Sequence, residues 1–557
     1  MAVLTTPFIN KGTAFTAEER EALGLTGLLP PVISTLEDQE TAAYIQYQRL
    51  PDAVSKNLYL TALHDRNEVL FFRLLSEHLH EMIPIVNHRT VGLAMEHEQY
   101  HHECRRPRGV YLSIDHPDGI EEALGNLGAG PDDIDLVLAT DAEQIFGIGD
   151  WGVGGIEISI GKLAIYTAVG GIDPTRVIPV MLDVGTNRKS LLADPMYPGN
   201  RHGRVRGDRY DAFIDAYVKT AAKLFPNALL QWEDFGPGNA RRILEKYRGQ
   251  IRTLNDNLQG TGAVTLAAAV SAMRICGTLL RNQRIVIFGA GIAGIGIADV
   301  FRDVMINEGL PAEEATRRIW CVDVDGLLTN DMGDRLLDYQ ATYARPAAEV
   351  KSWRSEGAAG AIIPSAISLA EVIRRVRPTI LVGTSGSAGA FTEAIVREMA
   401  RHTERPMIFP LSSPPAHAEA SPADLIAWTG GRALIATGGA FTPVTHKGIT
   451  HVIGEAENAM LYPGLGLGAI VSRSRLISVG MIAAAANALS SLVAVRLPGA
   501  SLLPYIDDLR SVTVTVAVAV AEAAVAEGLS GVALADIVQQ VQDAMWLPEY
   551  RRIQATS

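Results

Sequence analysis

The sequence predicts an α/β protein of more than one domain, with a helical N-terminal region, two α/β portions and a helical C-terminal segment. Three observations predict it. Short apolar runs that end in a polar residue or a glycine recur through the middle: Leu136-Val137-Leu138, 177–184 (VIPVMLDV) and 228–232 (ALLQW). A further run, 284–288 (RIVIF), passes at once into a glycine-rich loop and an apolar helix. Towards the N-terminal end the apolar residues instead fall three and four apart, the helical spacing, and the C-terminal part is Ala-rich and helical. Strands that alternate with helices point to parallel sheets.

At 557 residues the chain can bury a large core and should divide into two or more domains. Its net charge of −13 argues against a nucleic-acid surface and for a small-molecule enzyme or a soluble scaffold. Cys104, Cys276 and Cys321 lie far apart and form no ligand or redox spacing, which fits a reducing compartment. The N-terminus, MAVLTTPFINKGT, has neither an apolar signal core nor an Arg-rich amphipathic pattern. The run 512–521 is too short to span a bilayer and sits between Arg510 and Glu522. These features predict a cytoplasmic protein with no membrane and no nucleic-acid partner.

In chain order, Thr16 should cap a helix that starts at Ala17-Glu18-Glu19, and Pro30-Pro31 should break the chain. The stretch 57–80 reads as one helix with a buried face. His97-Glu98-Gln99-Tyr100-His101 then matches H-E-x-x-H. On a helix both imidazoles share a face and could grip Zn²⁺. No third ligand follows, and a charged, solvated helix accounts for the same residues.

After Leu136-Val137-Leu138 comes a glycine-rich loop, and Lys162 follows Gly161 at the start of an apolar helix, 163–168. A Lys among Ala, Ile and Leu loses hydration, which favours the neutral amine and suits a general base. The same Lys at a surface would lay its stem over those residues. The strand 177–184 carries Asp183 near its end.

The stretch 231–262 is the densest in oxygen donors. Glu233 and Asp234 follow the run ALLQW, a helical segment 239–247 comes next, and then Asn255-Asp256-Asn257. Gly260 and Gly262 open a helix of small residues. Mg²⁺ and Mn²⁺ are held by a few carboxylates together with substrate and water, so a carboxylate pair facing a third oxygen ligand suits them. A solvated loop and a helix cap also use Asp and Asn.

The second half carries G-x-G-x-x-G as Gly289-Ala290-Gly291-Ile292-Ala293-Gly294, between a strand and the apolar helix 295–301. Glycines there permit a tight turn and close approach to a pyrophosphate at the helix N-terminus. A second strand, 319–322, ends in Asp323, whose carboxylate would hold both ribose hydroxyls and repel a 2′-phosphate. That favours NAD over NADP in a Rossmann-type domain. Asp323 lies further on than the usual ~20 residues, so the intervening helix should be long. The runs 378–386 and 406–410 read as later strands of that sheet. Gly454-Glu455-Ala456-Glu457-Asn458 precedes a glycine-rich turn at Pro463-Gly464, and 482–546 is Ala-rich and helical.

Taken together, these segments resemble the malic enzyme family, and within it the bacterial malolactic enzymes. The likeness is carried by KGTAFTAEER, GLLPP, RNEVLFFRLL, TDAEQIFGIGDWG, GKLAIYTA, LDVGTNR, GNRHGRVRGDRYDAFID, WEDFG, LNDNLQGTGAVTLA, IFGAGIAGIGIA and YPGLGLG. It implies a helical region over 1–76, an α/β catalytic domain over 77–268, a Rossmann-type NAD-binding domain over 269–535 and a C-terminal tail over 536–557. It further implies a homodimer or homotetramer that oxidises L-malate with NAD(P) and Mn²⁺ or Mg²⁺ and releases CO₂. Malolactic enzymes keep the NAD bound, return the hydride and release lactate. Through the resemblance Lys162 is the base, Glu233 and Asp234 are metal ligands, and Asp256 orients the Lys. Gly289, Gly291, Gly294 and Asp323 contact the dinucleotide.

Several positions depart from the family pattern. Where the family has a Tyr that protonates the enol, before Thr-Val-Gly, this chain has Asn87-His88-Arg89. Asn is no proton donor of comparable acidity, whereas an inward-pointing His88 would be one. The third metal-binding Asp is Asn257, which keeps an oxygen but no charge. The Arg that grips a substrate carboxylate is Gln144. The Asn of the Ser-Asn-Pro cofactor loop is Ser413, and the first Asn of an Asn-Asn pair is Glu457, while Asn458 remains. Three readings follow: turnover of malate, the same chemistry on another 2-hydroxy acid with Glu457 or Arg89 reading a new group, or an NAD-binding protein without turnover.

Overall fold

The computed structural model describes residues 2–87, 106–145, 149–353 and 366–554. His88, Arg89, Cys104 and the H-E-x-x-H stretch lie outside the described residues. The chain divides into two compact units, Met1–Phe235 with Gln542–Ser557, and Gly236–Val541.

The first unit opens on helices. Thr16 accepts from the Glu19 backbone N–H and Glu19 answers to Thr16, a capping box that starts the helix Ala17–Ala22. After α1 (Leu36–Gln48), the single helix expected over 57–80 is three: α2 (Ala53–Arg66), α3 (Glu68–Glu77) and α4 (Leu79–Val86). Asn67 breaks the first join. Its backbone leaves the helical region at φ −152°, and its side chain caps α3 by accepting from Leu70 N–H. His78, at φ −129°, breaks the second.

The strands are β1 (Val110–Ser113), β2 (Leu136–Thr140), β3 (Val177–Asp183) and β4 (Leu229–Glu233). They run parallel in the spatial order β1-β3-β2-β4. A parallel sheet is covered on both faces, which is why β2 and β4 are buried along their whole length and read as unbroken apolar runs. Parallel strands also share a direction, so Ser113, Thr140, Asp183 and Glu233 end on one edge.

The helix carrying Lys162 is longer than its sequence suggests. α5 spans Ile156–Ala168, so Lys162 sits in its middle rather than at its start. Gly155 and Gly161 read as punctuation but serve close packing. A Cβ on Gly155 would lie 2.2 Å from Ala142 Cβ, and one on Gly161 2.1 Å from the Val86 carbonyl oxygen. After α6 (Asp208–Leu224), β4 completes this part. The C-terminal residues return to the same unit. Trp546 N–H donates to Gly171 O at 2.6 Å, and Asn67 donates to the Tyr550 hydroxyl at 2.7 Å.

The second unit begins with α7 (Pro237–Tyr247), β5 (Thr253–Asn255), a π-helical turn Asp256–Gly260 and α8 (Thr261–Cys276). Its large sheet contains β6 (Ile285–Phe288), β7 (Ile319–Asp323), β8 (Gly326–Leu327), β9 (Ile380–Gly383), β10 (Met407–Pro410), β11 (Leu434–Thr437) and β14 (Gly454–Glu455). The spatial order is β14-β11-β10-β9-β6-β7-β8, with only β8 antiparallel to its neighbour. Chain order reverses between β6 and β9, so the crevice of a doubly wound Rossmann-type sheet opens beyond their C-terminal ends. Between β11 and β14 lies an antiparallel hairpin, β12 (Val444–His446) and β13 (Ile449–His451).

Four expectations change here. The helix after the glycine loop, α9, spans Ile292–Asn307 rather than 295–301. The extra distance to Asp323 comes from this 16-residue helix together with a second short helix, Ala312–Arg317, rather than from one helix alone. Pro463-Gly464 is not a turn but the first turn of α10 (Tyr462–Val471), where Pro fits because an N-terminal N–H needs no helical partner. Between α11 (Val479–Ser491) and the short helix Ile537–Ala544, the run 512–521 belongs to the longer α12 (Leu509–Ala526). By length and composition α12 could cross a membrane. Its face packs on α10: a Cβ on Gly464 would lie 2.6 Å from Val516 Cβ, and one on Gly468 2.5 Å from Ala517 O. The small residues of α10 exist to bring these two helices together.

Candidate active site

In the first unit the site is built at the end of β4. Residues two apart on a strand share a face, as do residues four apart on a helix. β4 therefore presents Gln231 and Glu233 together, and α5 presents Lys162 and Tyr166. The four meet in the interior. Lys162 Nζ donates to Glu233 Oε1, and the Tyr166 hydroxyl donates to Gln231 Oε1. Gln231 Nε2 lies 3.5 Å from Glu233 Oε2. Glu233 is 2% exposed and Lys162 5%. An ion pair this buried is held by its mutual charge, and removing either member strands the other.

Asp234 follows at φ +54°, a left-handed conformation that Asp tolerates better than most residues. Its carbonyl accepts from Gln144 N–H at 3.0 Å, which sets Gln144 beside the carboxylate pair. Asn87 reaches the helix that carries Lys162. The Gly161 Cβ position lies 3.4 Å from Asn87 Cα, so the backbone of Asn87 rests on α5 one residue from Lys162. The side chain of Asn87 is buried, and among the described residues its Oδ1 finds no partner.

A buried arginine holds the loop that carries Gln144. Arg204 Nε donates to Asp150 Oδ2 at 2.7 Å and Arg204 Nη2 to the Asp141 carbonyl at 2.7 Å. The Tyr210 hydroxyl donates to Asp141 Oδ2 at 2.7 Å. Burial pushes the Asp141 carboxyl up to about 6, although Arg204 pulls against it. Burial raises Asp150 as well, but Arg204 and the Asn187 and Gly152 N–H groups outweigh it and leave Asp150 below its ordinary value. Asp183 accepts from Gly185 N–H at 3.0 Å and Asn200 N–H at 2.7 Å, which makes it a loop anchor.

The second unit contributes its own constellation. Asn458 Nδ2 donates to Asp256 Oδ2 at 3.0 Å and to Thr261 Oγ1 at 3.1 Å, bringing together two expected residues 202 positions apart. Asn257 shares the π-helical turn of Asp256. Glu457 caps the short turn Asn458–Met460. Burial and then the Glu457 charge push the Glu455 carboxyl up to about 7.

The glycine loop has the form a dinucleotide needs. Gly289 takes φ +103°, and its carbonyl accepts from Thr384 Oγ1 at 2.7 Å. A Cβ on Gly294 would lie 1.9 Å from Gly289 O, whereas a Cβ on Gly291 would meet nothing within 4 Å. The first and third glycines thus close the turn, and the second leaves open the space a pyrophosphate takes. At the tip of β7, Asp323 Oδ2 accepts from Gln340 Nε2 at 3.0 Å, and the same amide donates to Ala290 O at 2.9 Å. Ser413 lies on the loop after β10. That loop is tied to the loop after β9 by buried Glu419, which accepts from Ser412 Oγ at 2.6 Å and Ser385 N–H at 2.8 Å.

The residues fit NAD through that cradle. For a divalent ion the donor chemistry of the first unit fits: Glu233 and Asp234 are adjacent buried carboxylates. No three His, Cys, Asp or Glu side chains cluster for a metal among the described residues. Sequence reasoning missed Tyr166, Gln231, Arg204, Gln340 and Glu419. Spacing held a signal for the first two, since each stands one period from a residue already singled out.

Comparison with known proteins agrees in both halves. The family model for the malic enzyme N-terminal domain matches residues 64–248, and that for the malic enzyme NAD-binding domain matches 258–525. The chain is 57% identical over 555 residues to NAD-dependent malic enzyme 3 of Bacillus subtilis, covering 100% of this chain and 97% of that protein. It is 44% identical to a malolactic enzyme of Lactiplantibacillus plantarum, covering 99% and 98%. Among solved structures, malic enzyme from Entamoeba histolytica superposes with a TM-score of 0.56 at 18% identity, over 96% of this chain and 91% of that one.

Proposed function

Since this chain belongs to the malic enzyme family, we propose that it is an NAD-dependent enzyme that oxidises and decarboxylates L-malate at the edge where β4 ends. The observation that carries the reading is the buried Lys162–Glu233 pair beside Asp234.

Lys162 accepts the proton of the C2 hydroxyl as hydride leaves C2. To do so the amine must first give up its proton and its hold on Glu233, so the pair is the resting arrangement rather than the reacting one. Gln231, braced by Tyr166, keeps the Glu233 carboxylate in register as that happens. Glu233 and Asp234 would hold Mn²⁺ or Mg²⁺, and the family likeness alone assigns Asn257 as a neutral third donor. Such an ion supplies charge stabilisation for the new carbonyl and for the enolate left when CO₂ departs. The family likeness assigns Asp256, which Asn458 holds, the role of orienting the Lys. The Gly289, Gly291 and Gly294 loop, Asp323 and the Ser413 loop would hold NAD, which supplies the hydride acceptor. Gln144 and Asn458 bind substrate. The enol must then be protonated, and with Asn87 in the Tyr position the candidate donor is His88.

A second reading is favoured by Asn87, whose buried Oδ1 leaves a polar contact open, and by the Glu455 and Glu457 acids. It is the same chemistry on a different 2-hydroxy acid, read by Glu457 or Arg89. We further propose a cytoplasmic homodimer or homotetramer in which α12 is a core helix, and the segments 1–76, 77–268, 269–535 and 536–557 as its working domains.

The test is a screen of L-malate and substituted 2-hydroxy acids with NAD and Mn²⁺, following NADH and CO₂ as well as lactate. Turnover of malate supports the first reading, and turnover of another acid alone moves the assignment to the second. Cofactor binding with no turnover of any acid overturns both.

A further inference from the structure

The large sheet of the second unit has a second concavity, at the N-terminal ends of its strands, opposite the edge that carries the glycine loop. Its volume is about 310 Å³. Apolar side chains floor it, among them Ile275, Ile426, Leu434, Ile453 and Leu502. The β12–β13 hairpin walls one side and the loop 495–500 the other. Glycines pin these walls. Gly499 takes φ +77°, a Cβ there would lie 2.2 Å from Thr450 O, and its carbonyl accepts from Val452 N–H at 2.8 Å.

The charge of this cavity is one-sided. Arg405, Arg432, Arg496 and His451 line it, and among its described lining residues there is no Asp or Glu. Arg432 is spent on structure: its guanidinium donates to the carbonyls of Thr429, Ala400, Thr403 and Glu404. Arg405 uses only Nε, which donates to Arg432 O at 3.0 Å. Among the described residues its terminal nitrogens and the whole guanidinium of Arg496 have no hydrogen-bonding or ionic partner. The nearest acid along the chain, Glu404, does not line the cavity. His446 packs beside Gly431, and its Nε2 is buried without a partner among the described residues. Burial, His446 and Arg405 together push His451 below the usual histidine range.

Like charges gathered over an apolar floor repel one another unless an anion joins them. Guanidinium forks match carboxylate and phosphate oxygens, and a cavity of this size with few polar groups suits a small ligand. We propose that this cavity binds a small organic anion, its phosphate or carboxylate held by Arg405 and Arg496 and its apolar body laid on Ile275, Ile426 and Leu502. The site stands apart from the cofactor crevice and does not depend on the identity of the hydroxy acid.

The test is titration calorimetry on the full-length enzyme saturated with NADH, so that the crevice is filled. The probes are phenyl phosphate, benzoate and inorganic phosphate. Phenyl phosphate or benzoate should bind, and whichever is tighter identifies the head group. Inorganic phosphate, lacking the apolar body, should bind more weakly. R405A and R496A should each weaken the tighter probe about tenfold, the scale of a lost charge-assisted contact. Arg496 is exposed and makes no hydrogen bond among the described residues, so R496A should fold normally and keeps the test open if R405A does not. Absence of binding by both organic probes, or equal binding of the tighter probe by wild type and R496A, overturns the assignment.

Discussion

The end of β4 and the glycine loop after β6 both lie beyond parallel strands, yet they are built from opposite materials. At β4 the work falls to side chains: Lys162 pairs with Glu233, and Tyr166 braces Gln231, all in the interior. At β6 it falls to backbone. Gly289 and Gly294 close a turn in which no Cβ fits, and Gly291 faces open space. A side-chain site can be re-specified by exchanging one group for another of similar size. A backbone cradle accepts no exchange. The departures expected from the family likeness obey this division: Asn87, Gln144, Asn257, Ser413 and Glu457 all concern side chains, whereas every glycine of the loop is present.

The comparison breaks first at Lys162. Lys162→Ala should lower turnover by roughly 10²–10⁴-fold, the scale of a lost general base, while NADH still binds. Unchanged turnover, measured by NADH formation, would remove the base from this position. Chelation of divalent ions should silence the wild type comparably, and Mn²⁺ should restore it.

The glycine loop offers the next test. Gly294→Ala forces a Cβ into the Gly289 carbonyl and should cost both folding stability and NADH affinity. Gly291→Ala meets no protein atom, so its melting temperature should hold while NADH affinity falls at least about tenfold, because the methyl takes the space of the pyrophosphate. Fluorescence titration with NADH checks this, and undiminished affinity in Gly291→Ala would mean the cofactor lies elsewhere.

Smaller effects sharpen the side-chain half. Asn87→Tyr should raise turnover of malate if malate is the substrate, and a fall would favour the second reading. Asn257→Asp should tighten Mn²⁺ by about tenfold, since a charged oxygen replaces a neutral one. An unchanged metal affinity would place Asn257 outside the coordination shell.

The smallest concerns pH. Glu455 is raised from 4.5 to about 7, so the folded chain keeps a proton that the unfolded chain loses. Stability from this group is therefore present below about 4.5 and is lost as pH rises towards 7. Glu455→Gln should leave the melting temperature nearly unchanged at pH 5 and raise it by a few degrees at pH 8. Equal shifts at both values would show that Glu455 titrates normally.

Much of this was legible beforehand, and the failures share a cause. The strands could be read because a parallel strand buried on both faces leaves an unbroken apolar run, as in Leu136–Thr140 and Leu229–Glu233. The glycine loop could be read because its context is local. The helix around Lys162 reads too short because Gly155 and Gly161 look like punctuation, and Pro463-Gly464 reads as a turn for the same reason. Those glycines answer to Ala142, Val86 and Val516, residues that a local window does not contain. The break at Asn67 does not show in the periodicity because one capping amide outweighs a helical pattern that continues on both sides.

By itself, then, the sequence determined which segments are buried and where the dinucleotide loop stands, and it offered Lys162, Glu233 and Asp234 as candidates for the chemistry. These are properties of short windows, where periodicity and side-chain type carry the information. Only the tertiary structure decided that Lys162 meets Glu233, that Tyr166 braces Gln231, that Asn458 holds Asp256, and that Arg405 and Arg496 share a cavity with no acid among its described lining residues. Each of these is a pairing between elements far apart in the chain, and its energy exists only once packing has brought the two elements into contact.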